Sequence, residues 1–411
     1  MNPGTPDITG TQDTAGIPDS LGTLDSPGAG PERRPSTIGG YEDWPSYVGT
    51  RRRHIAETSA GQELADALGV PAAPADPAAV RDSVVLESEE THDGVTTSRV
   101  SWQLGFGPRT GAWFVRPAGR TGPLPGVLAL HCHAGIKSGG ADRLVDPRAA
   151  DLQQRLYGGR PFAIWLAAQG FAVLAHDTFS WGSRRFDLGT PPWRTAAVVE
   201  GRKALWREAG VVPSAAELYD AAAAAHEDTV AKASGLLGTS FAGMVAHDDL
   251  AALKVLAGLP GVDAGRLGSI GFSGGGGRSV MLAALSPLIR SFVVTCMMTT
   301  YRSLVPAYLD AHSWLLQTPG LSRLGDFPEL AARSTADRFL VQYALADELF
   351  PEDGMRDADA ILGASGTGRY TGSFWPGGHA FTTDMQDEAA AFLQQHLSPA
   401  PLASARQNGQ S

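Results

Sequence analysis

LGSIGFSGGGGRSVMLAAL, residues 267–285, opens as a short apolar run, passes through a turn crowded with glycine and ends in a helical pattern. Leu267 to Phe272 has the length and apolarity of a buried strand. The helix is expected to open near Arg278 and Ser279. Ser273 therefore falls on a sharp strand-to-helix turn, where strained backbone requires glycine neighbours. On such a turn the hydroxyl stands clear of the sheet edge. The amide of Gly274 lies at a helix N-terminus, where unpaired N–H groups and the helix dipole favour a developing negative oxygen. Gly271-Phe272-Ser273-Gly274-Gly275 thus has the form of an elbow that presents a nucleophilic serine.

Two other glycine motifs fail on their own letters. A phosphate-binding loop would place Phe272 at its first glycine and Arg278 at its lysine. A dinucleotide fingerprint starting at Gly274 would need glycine where Ser279 stands. The pattern G-x-S-x-G also arises by chance in a chain with 50 glycines, so its partners decide its meaning.

The chain has 411 residues, 43% of them hydrophobic and 18% charged, enough for one large α/β domain or two smaller ones. Its formal charge is −10, and no lysine or arginine tract is long enough to follow a phosphate backbone, so nucleic acid is not an expected partner. No apolar run approaches the ~20 residues of a membrane span, and no membrane partner is expected. The first residues lack the basic start and apolar segment of a signal peptide. The two cysteines, Cys132 and Cys296, lie in apolar stretches without a disulfide or metal pattern. Both features fit a reducing cytoplasm.

Residues 1–40 are rich in Gly, Pro, Thr, Ser and Asp and cannot bury enough surface to offset their ordering entropy, so a disordered tail is expected there. Residues 41–80 bring aromatic residues and a helical stretch, read as an arm packing on the main domain. The catalytic domain is expected over 81–400. Ser83 to Glu89, Thr96 to Leu104 and Gly111 to Arg116 alternate as antiparallel strands. Val127 to His131 and Phe171 to His176 read as buried parallel strands, with Phe162 to Gln169 a helix between them. Ser240 to Leu259 reads as a strongly amphipathic helix leading into the serine strand. Ser291 to Met297, Arg338 to Ala344 and Tyr370 to Trp375 read as further strands. Asp353 to Leu362 and Thr383 to His396 read as helices. Strands alternating with helices at this spacing imply a mostly parallel, doubly wound sheet flanked by helices.

Between Asp177 and Ser240 the chain spends over sixty residues where a simple crossover needs far fewer. This insertion, about 180–238, leaves the sheet at the carboxyl end of a strand, where open α/β sheets bind ligands. It is expected to form a helical lid or pocket wall. Trp181, Arg184 and Arg185 near its start offer a flat apolar surface and two guanidinium forks for substrate. Alternatively, the arginines pair with Asp177 or Asp187 and merely hold the loop.

A serine hydroxyl becomes a nucleophile when a histidine takes its proton and a carboxylate orients that histidine. His379, in WPGGHAF, sits in a glycine-rich loop directly after the last strand. His312 and His396 lie in a loop-helix stretch and on the closing helix. Asp347 is the first acid after the penultimate strand, whereas Glu348 points the other way and Asp353 is expected to cap a helix. A second oxyanion donor is expected from His131-Cys132-His133-Ala134-Gly135, as the amide of His133, with His131 packed beneath as a satisfied structural histidine. His-x-His also permits a metal reading, but no third ligand of suitable spacing follows, and no metal is expected.

The series LALHCHAG, VLAHDTFSWGSRR, GFSGGGG, ALADELFP and PGGHAF, in that order over roughly residues 80–398, resembles the α/β-hydrolase superfamily. Within it the chain is most similar to the dienelactone hydrolase and acetyl xylan esterase-like branch. The resemblance implies Ser273 as nucleophile, Asp347 as acid, His379 as base and the amides of His133 and Gly274 as oxyanion hole. It further implies a serine esterase acting on a small-molecule ester, of acetyl or short-acyl type, without a cofactor. Three features depart from the family: Cys132 stands where it usually has glycine, Ala-Leu-Ala-Asp replaces the commoner Gly-x-x-Asp, and Ser273 replaces the cysteine of dienelactone hydrolases proper. A lactone, a carbon–carbon bond or a peptide could be cleaved by the same three residues.

Overall fold

The computed structural model describes residues 34–51, 54–72 and 77–397; of the tail expected over 1–40, residues 1–33 lie outside that description. The first part of the arm is a short helix, α1 (Trp44–Thr50), followed by α2 (Ser59–Leu68). Tyr41, Trp44 and Tyr47 are buried. Three antiparallel strands follow, β1 (Val85–His92), β2 (Val95–Trp102) and β3 (Thr110–Pro117). Then come β4 (Leu124–Leu130), α3 (Phe162–Ala168) and β5 (Ala172–His176). The insertion forms two helices in contact with each other, α4 (Trp193–Glu208) and α5 (Ala215–Leu236). The second half runs α6 (Phe241–Gly258), β6 (Val262–Phe272), α7 (Gly274–Leu285), β7 (Ile289–Thr295), β8 (Arg338–Ala344), α8 (Glu352–Ala364), β9 (Tyr370–Trp375) and α9 (Thr383–Leu397).

The nine described strands form one sheet in the order β1-β2-β3-β5-β4-β6-β7-β8-β9. From β5 to β9 every neighbouring pair is parallel, while β3 joins β5 antiparallel. The chain moves from β4 to β5 in one direction and returns through β6 on the other side of β4. Strand order therefore reverses between β4 and β6, and the loops beyond their carboxyl ends open the crevice that α/β sheets use for ligands. The His131–Gly135 loop leaves β4 and Ser273 leaves β6.

The serine helix begins at Gly274, directly after the serine, rather than near Arg278. The glycine run is the first turn of the helix because the helix lies against the sheet. A Cβ at Gly271 would stand 2.1 Å from the Gly275 carbonyl, and one at Gly275 would stand 2.0 Å from the Leu130 oxygen. These two glycines let strand, helix and the end of β4 touch backbone to backbone.

Helix α6 also differs from its expected amphipathic character. It is buried on nearly all faces, its polar residues included. The arm covers what would otherwise be its wet side: Tyr47 Oη lies 3.0 Å from His247 Nε2, and Ser240, which caps α6 by accepting from the Gly243 amide, donates to the Leu68 carbonyl. Its buried acids are neutralised by arginines, Asp248 by Arg184 and Asp249 by Arg278. A buried carboxylate is tolerable only with such a partner. At the start of α8, Asp353 lies in the first turn and makes no capping bond, since the N-cap is Pro351.

Candidate functional site

Ser273 has φ +56° and ψ −128°, a region that L-residues rarely occupy. The turn is held by hydrogen bonds from the Ser273 amide to the Thr295 carbonyl and from the Gly276 amide to the Ser273 carbonyl. Its hydroxyl, 2.8 Å from His379 Nε2, is on the crevice side. His379 Nδ1 is 2.7 Å from Asp347 Oδ2. A carboxylate beside Nδ1 requires the N–H there, which leaves Nε2 as acceptor for the serine proton; the tautomer is assigned from these partners.

The acid and histidine loops are stitched together by their backbones. The Leu345 amide donates to the Trp375 carbonyl and the Ala346 amide to the Gly377 carbonyl. The Leu349 amide donates to Asp347 Oδ1, so both carboxylate oxygens are engaged. Glu348 is exposed. Phe272 packs against the His379 ring, centroids 4.8 Å apart.

Across the crevice, the His133 amide lies beside Gly274, 3.2 Å from where a Cβ on that residue would stand. Among the described residues neither the His133 nor the Gly274 amide has a hydrogen-bond acceptor. The loop between them and the sheet is pinned by Arg143, which is buried and donates to the carbonyls of Cys132, His133, Ile136, Gly139 and Gly140. A planar fork with five donors suits this role. Cys132 fills the usual glycine position as a buried thiol, with Arg143 Nη1 3.6 Å from its sulfur. His131 is buried, with Nδ1 near the Cys132 carbonyl, but its Nε2 has no hydrogen-bond partner, so it is not fully satisfied. Burial holds its pKa well below the usual imidazole range. His131 and His133 belong to no group of three or more potential metal ligands among the described residues.

Ser273 and His379 line a cavity of about 590 Å³, a size usual for small-molecule sites. Leu156, Phe272, Met297, Leu315, Leu316, Leu349 and Phe350 make much of its wall apolar. From the insertion, the lining residues are Ala224, Glu227 and Asp228 of α5. A second wall, Ala311 to Leu316, comes from the excursion between β7 and β8, which sequence reasoning passed over. His312 stands in that wall with Nε2 2.9 Å from the Leu349 carbonyl. Trp314 Nε1 donates to Asp228.

Trp181, Arg184 and Arg185 do not line this cavity. Trp181 is 1% exposed and lies under the buried Lys137 ammonium, 4.7 Å from ring to nitrogen. Arg184 is 0% exposed. It pairs with Asp248 and donates to the carbonyls of Phe106 and Pro108, not with Asp177 or Asp187. Asp177 instead accepts from the Ala141 and Ser183 amides. Arg185 is exposed, over the Tyr219 ring. Trp181 and Arg184 turned inward because Phe241 and Asp248 of α6, with Tyr41 of the arm, offer them a buried home.

Glu227 carries a further group of contacts. Its Oε2 lies 3.2 Å from His133 Nε2 and 2.5 Å from Lys137 Nζ, and its Oε1 accepts from Ser313 Oγ and the Trp314 amide. Burial alone would raise its pKa, but the hydrogen bonds and charges of His133 and Lys137 outweigh it and hold the carboxyl well below the usual range. Burial lowers the Lys137 pKa despite Glu227. An acid inside an alanine-rich helix gave no sequence signal, because its partners lie about 90 residues away on either side.

No protein-family model matches the chain. The solved structures it resembles define the class: it has the α/β-hydrolase fold, as its five motifs imply. They include a glucuronoyl esterase from Solibacter usitatus, with a TM-score of 0.54 and 13% identity over 83% of this chain and 93% of that one. A "putative acetyl xylan esterase" from Bacteroides fragilis NCTC 9343 gives a TM-score of 0.52 and 17% identity over 81% of this chain and 80% of that one. By sequence, the chain is similar to "Putative hydrolase YtaP" of Bacillus subtilis (strain 168), 26% identical over 293 residues, 70% of this chain and 83% of that protein. No helix among the described residues is long and apolar enough to cross a membrane.

Proposed function

We propose that the protein is a carboxylic ester hydrolase that works through an acyl-enzyme on Ser273. The observation that carries this reading is the hydrogen-bonded series Asp347–His379–Ser273 beneath a serine held at positive φ. The names of its structural relatives, esterases among them, support the same class.

His379 Nε2 takes the hydroxyl proton as Ser273 Oγ attacks the ester carbonyl. The carbonyl oxygen becomes negative and is met by the amides of His133 and Gly274; such donors contribute a few kcal/mol each when aimed at the oxyanion. Asp347 keeps the imidazole in the right tautomer and stabilises the imidazolium. The tetrahedral species collapses as His379 returns its proton to the leaving alcohol. Water, deprotonated by the same nitrogen, then attacks the acyl-serine; the acyl C–Oγ bond breaks as His379 returns that proton to Ser273 Oγ, releasing the acid and restoring the enzyme.

The substrate class we propose is an acetyl or other short-acyl ester, because the cavity is of small-molecule size and its walls are largely apolar. Hydrolysis of a panel of chromogenic acyl esters and acetylated sugars tests it. Rates are expected to be greatest for acetyl and propionyl esters and to vanish in Ser273→Ala. An activity that survives that substitution would overturn the reading.

A further inference from the structure

Two carboxylates of the insertion meet the loop that carries one proposed oxyanion donor. Asp220 and Glu227 are seven residues apart on α5 and so fall on one face, about two turns from each other. Ala223 and Ala224 lie between them, small enough to let the helix come close. Asp220 Oδ1 accepts from the Lys137 amide at 2.8 Å and the Ser138 amide at 2.7 Å, while Oδ2 accepts from Ser138 Oγ at 2.8 Å. Seven residues on, Glu227 holds the His133 ring and the Lys137 ammonium. The same carboxylate binds Ser313 and the Trp314 amide. The next residue in that wall, Leu315, lies 3.3 Å from where a Cβ on Gly274 would stand. One carboxylate thus touches the residue that carries one donor and a wall that abuts the other.

The His133 ring has no freedom left. Gly135 donates its amide to Nδ1 at 2.9 Å, so Nε2 bears the proton that goes to Glu227. A ring fixed at both nitrogens fixes its own backbone. Lys137 has a second role: an unpaired Glu227 anion would oppose the negative oxygen that forms nearby, and the buried ammonium neutralises it.

We propose that Asp220 and Glu227 are positioning residues for the oxyanion hole, and that α5 is a fixed clamp on residues 133–138. This rests on the reading of His133 and Gly274 as oxyanion donors. The clamp acts through His133: it determines where the His133 amide points. The insertion is therefore part of the catalytic frame as well as of the cavity wall.

The test compares kcat and KM for p-nitrophenyl acetate with the affinity of a trifluoromethyl ketone, which forms a tetrahedral adduct with serine. Glu227→Ala is expected to lower kcat by about tenfold to a hundredfold, the size of effect that small misplacements of catalytic groups produce. KM should change less than about threefold, and the ketone should weaken in step with kcat/KM. Glu227→Gln, which keeps an acceptor for Ser313 and Trp314, should recover most of the rate. Because Glu227→Ala leaves Lys137 buried and unpaired, the double variant Glu227→Met/Lys137→Met separates folding from positioning. It removes both charges together, which folded proteins tolerate, and should stay folded while losing kcat as Glu227→Ala does. A folded double variant with full kcat would overturn the inference, as would a rise in KM with ketone affinity unchanged. Turnover that survives Ser273→Ala would overturn the underlying serine reading and this inference with it. Serine-dependent turnover with unaffected Glu227 variants would overturn the inference alone.

Discussion

His379 and His133 stand in the same cavity, and each holds a carboxylate within hydrogen-bond range. What separates them is the other nitrogen. In His379 it faces the Ser273 hydroxyl at 2.8 Å; in His133 it accepts the amide of Gly135 at 2.9 Å. The first ring can receive a proton from a reacting group. The second cannot be protonated there without losing a backbone hydrogen bond, and burial already lowers its pKa despite Glu227. Under the proposed mechanism a histidine beside an acid is a catalytic base in one place and a strut in the other, and the difference lies in whether one nitrogen is left to the crevice.

The largest expected effect separates the two pairs outright. His379→Ala and Asp347→Asn should each lower kcat by about 10³–10⁴-fold with the fold retained. His133→Asn should cost about tenfold, through lost positioning alone. Asp353→Asn should change little. Steady-state kinetics on one acetyl ester read all four. If His133→Asn is as damaging as His379→Ala, both rings do proton chemistry and the contrast collapses.

A second expectation extends the contrast to the arginines at the start of the insertion. Arg184 is enclosed with Asp248, and removing one member of such a pair typically costs about 3–5 kcal/mol. Arg184→Ala should therefore lower the melting temperature sharply and leave the order of preferred esters unchanged. Arg185→Ala, on the surface, should shift stability by less than about 0.5 kcal/mol. A changed substrate profile in Arg184→Ala, with stability intact, would return that residue to the pocket.

The smallest effect is a pH dependence of stability. Burial lowers the pKa of His131 and His133 in the folded protein. Once pH falls below the unfolded-state value, about 6.5, the unfolded chain binds protons that the folded one refuses. Stability should thus decline from pH 7 to pH 5. Glu227, held low in the fold, adds stability that is present above the ordinary glutamate pKa and is lost as pH falls through its folded value. A melting temperature that holds or rises between pH 7 and 5 would contradict neutral, buried imidazoles.

Chain order is what made the fold and the Ser273, Asp347 and His379 placements readable. Ser273 and Asp347 sit just beyond β6 and β8, whose later residues are buried as expected inside a parallel sheet covered on both faces, whereas His379 follows the edge strand β9 and was marked by its glycine-rich loop. β8 and β9 begin and end where periodicity puts them, at Arg338–Ala344 and Tyr370–Trp375. Glu227, Asp220, Arg143 and the wall at 311–316 left no such mark. Their roles depend on partners distant in sequence or on carbonyls that any residue carries, and periodicity records neither. Trp181 and Arg184 were misplaced for a related reason. A tryptophan and an arginine beside a carboxyl edge look like ligand contacts until Tyr41 of the arm is seen to cover the arginine and Phe241 of α6 to pack on the tryptophan.

Under the proposed mechanism Ser273 carries the acyl group during turnover. Incubation with a fluorophosphonate, followed by peptide mass spectrometry, tests it most directly. A single adduct is expected on the peptide containing Ser273, formed in step with loss of esterase activity and absent in Ser273→Ala. Labelling at another residue, or full inactivation with Ser273 unmodified, would contradict it.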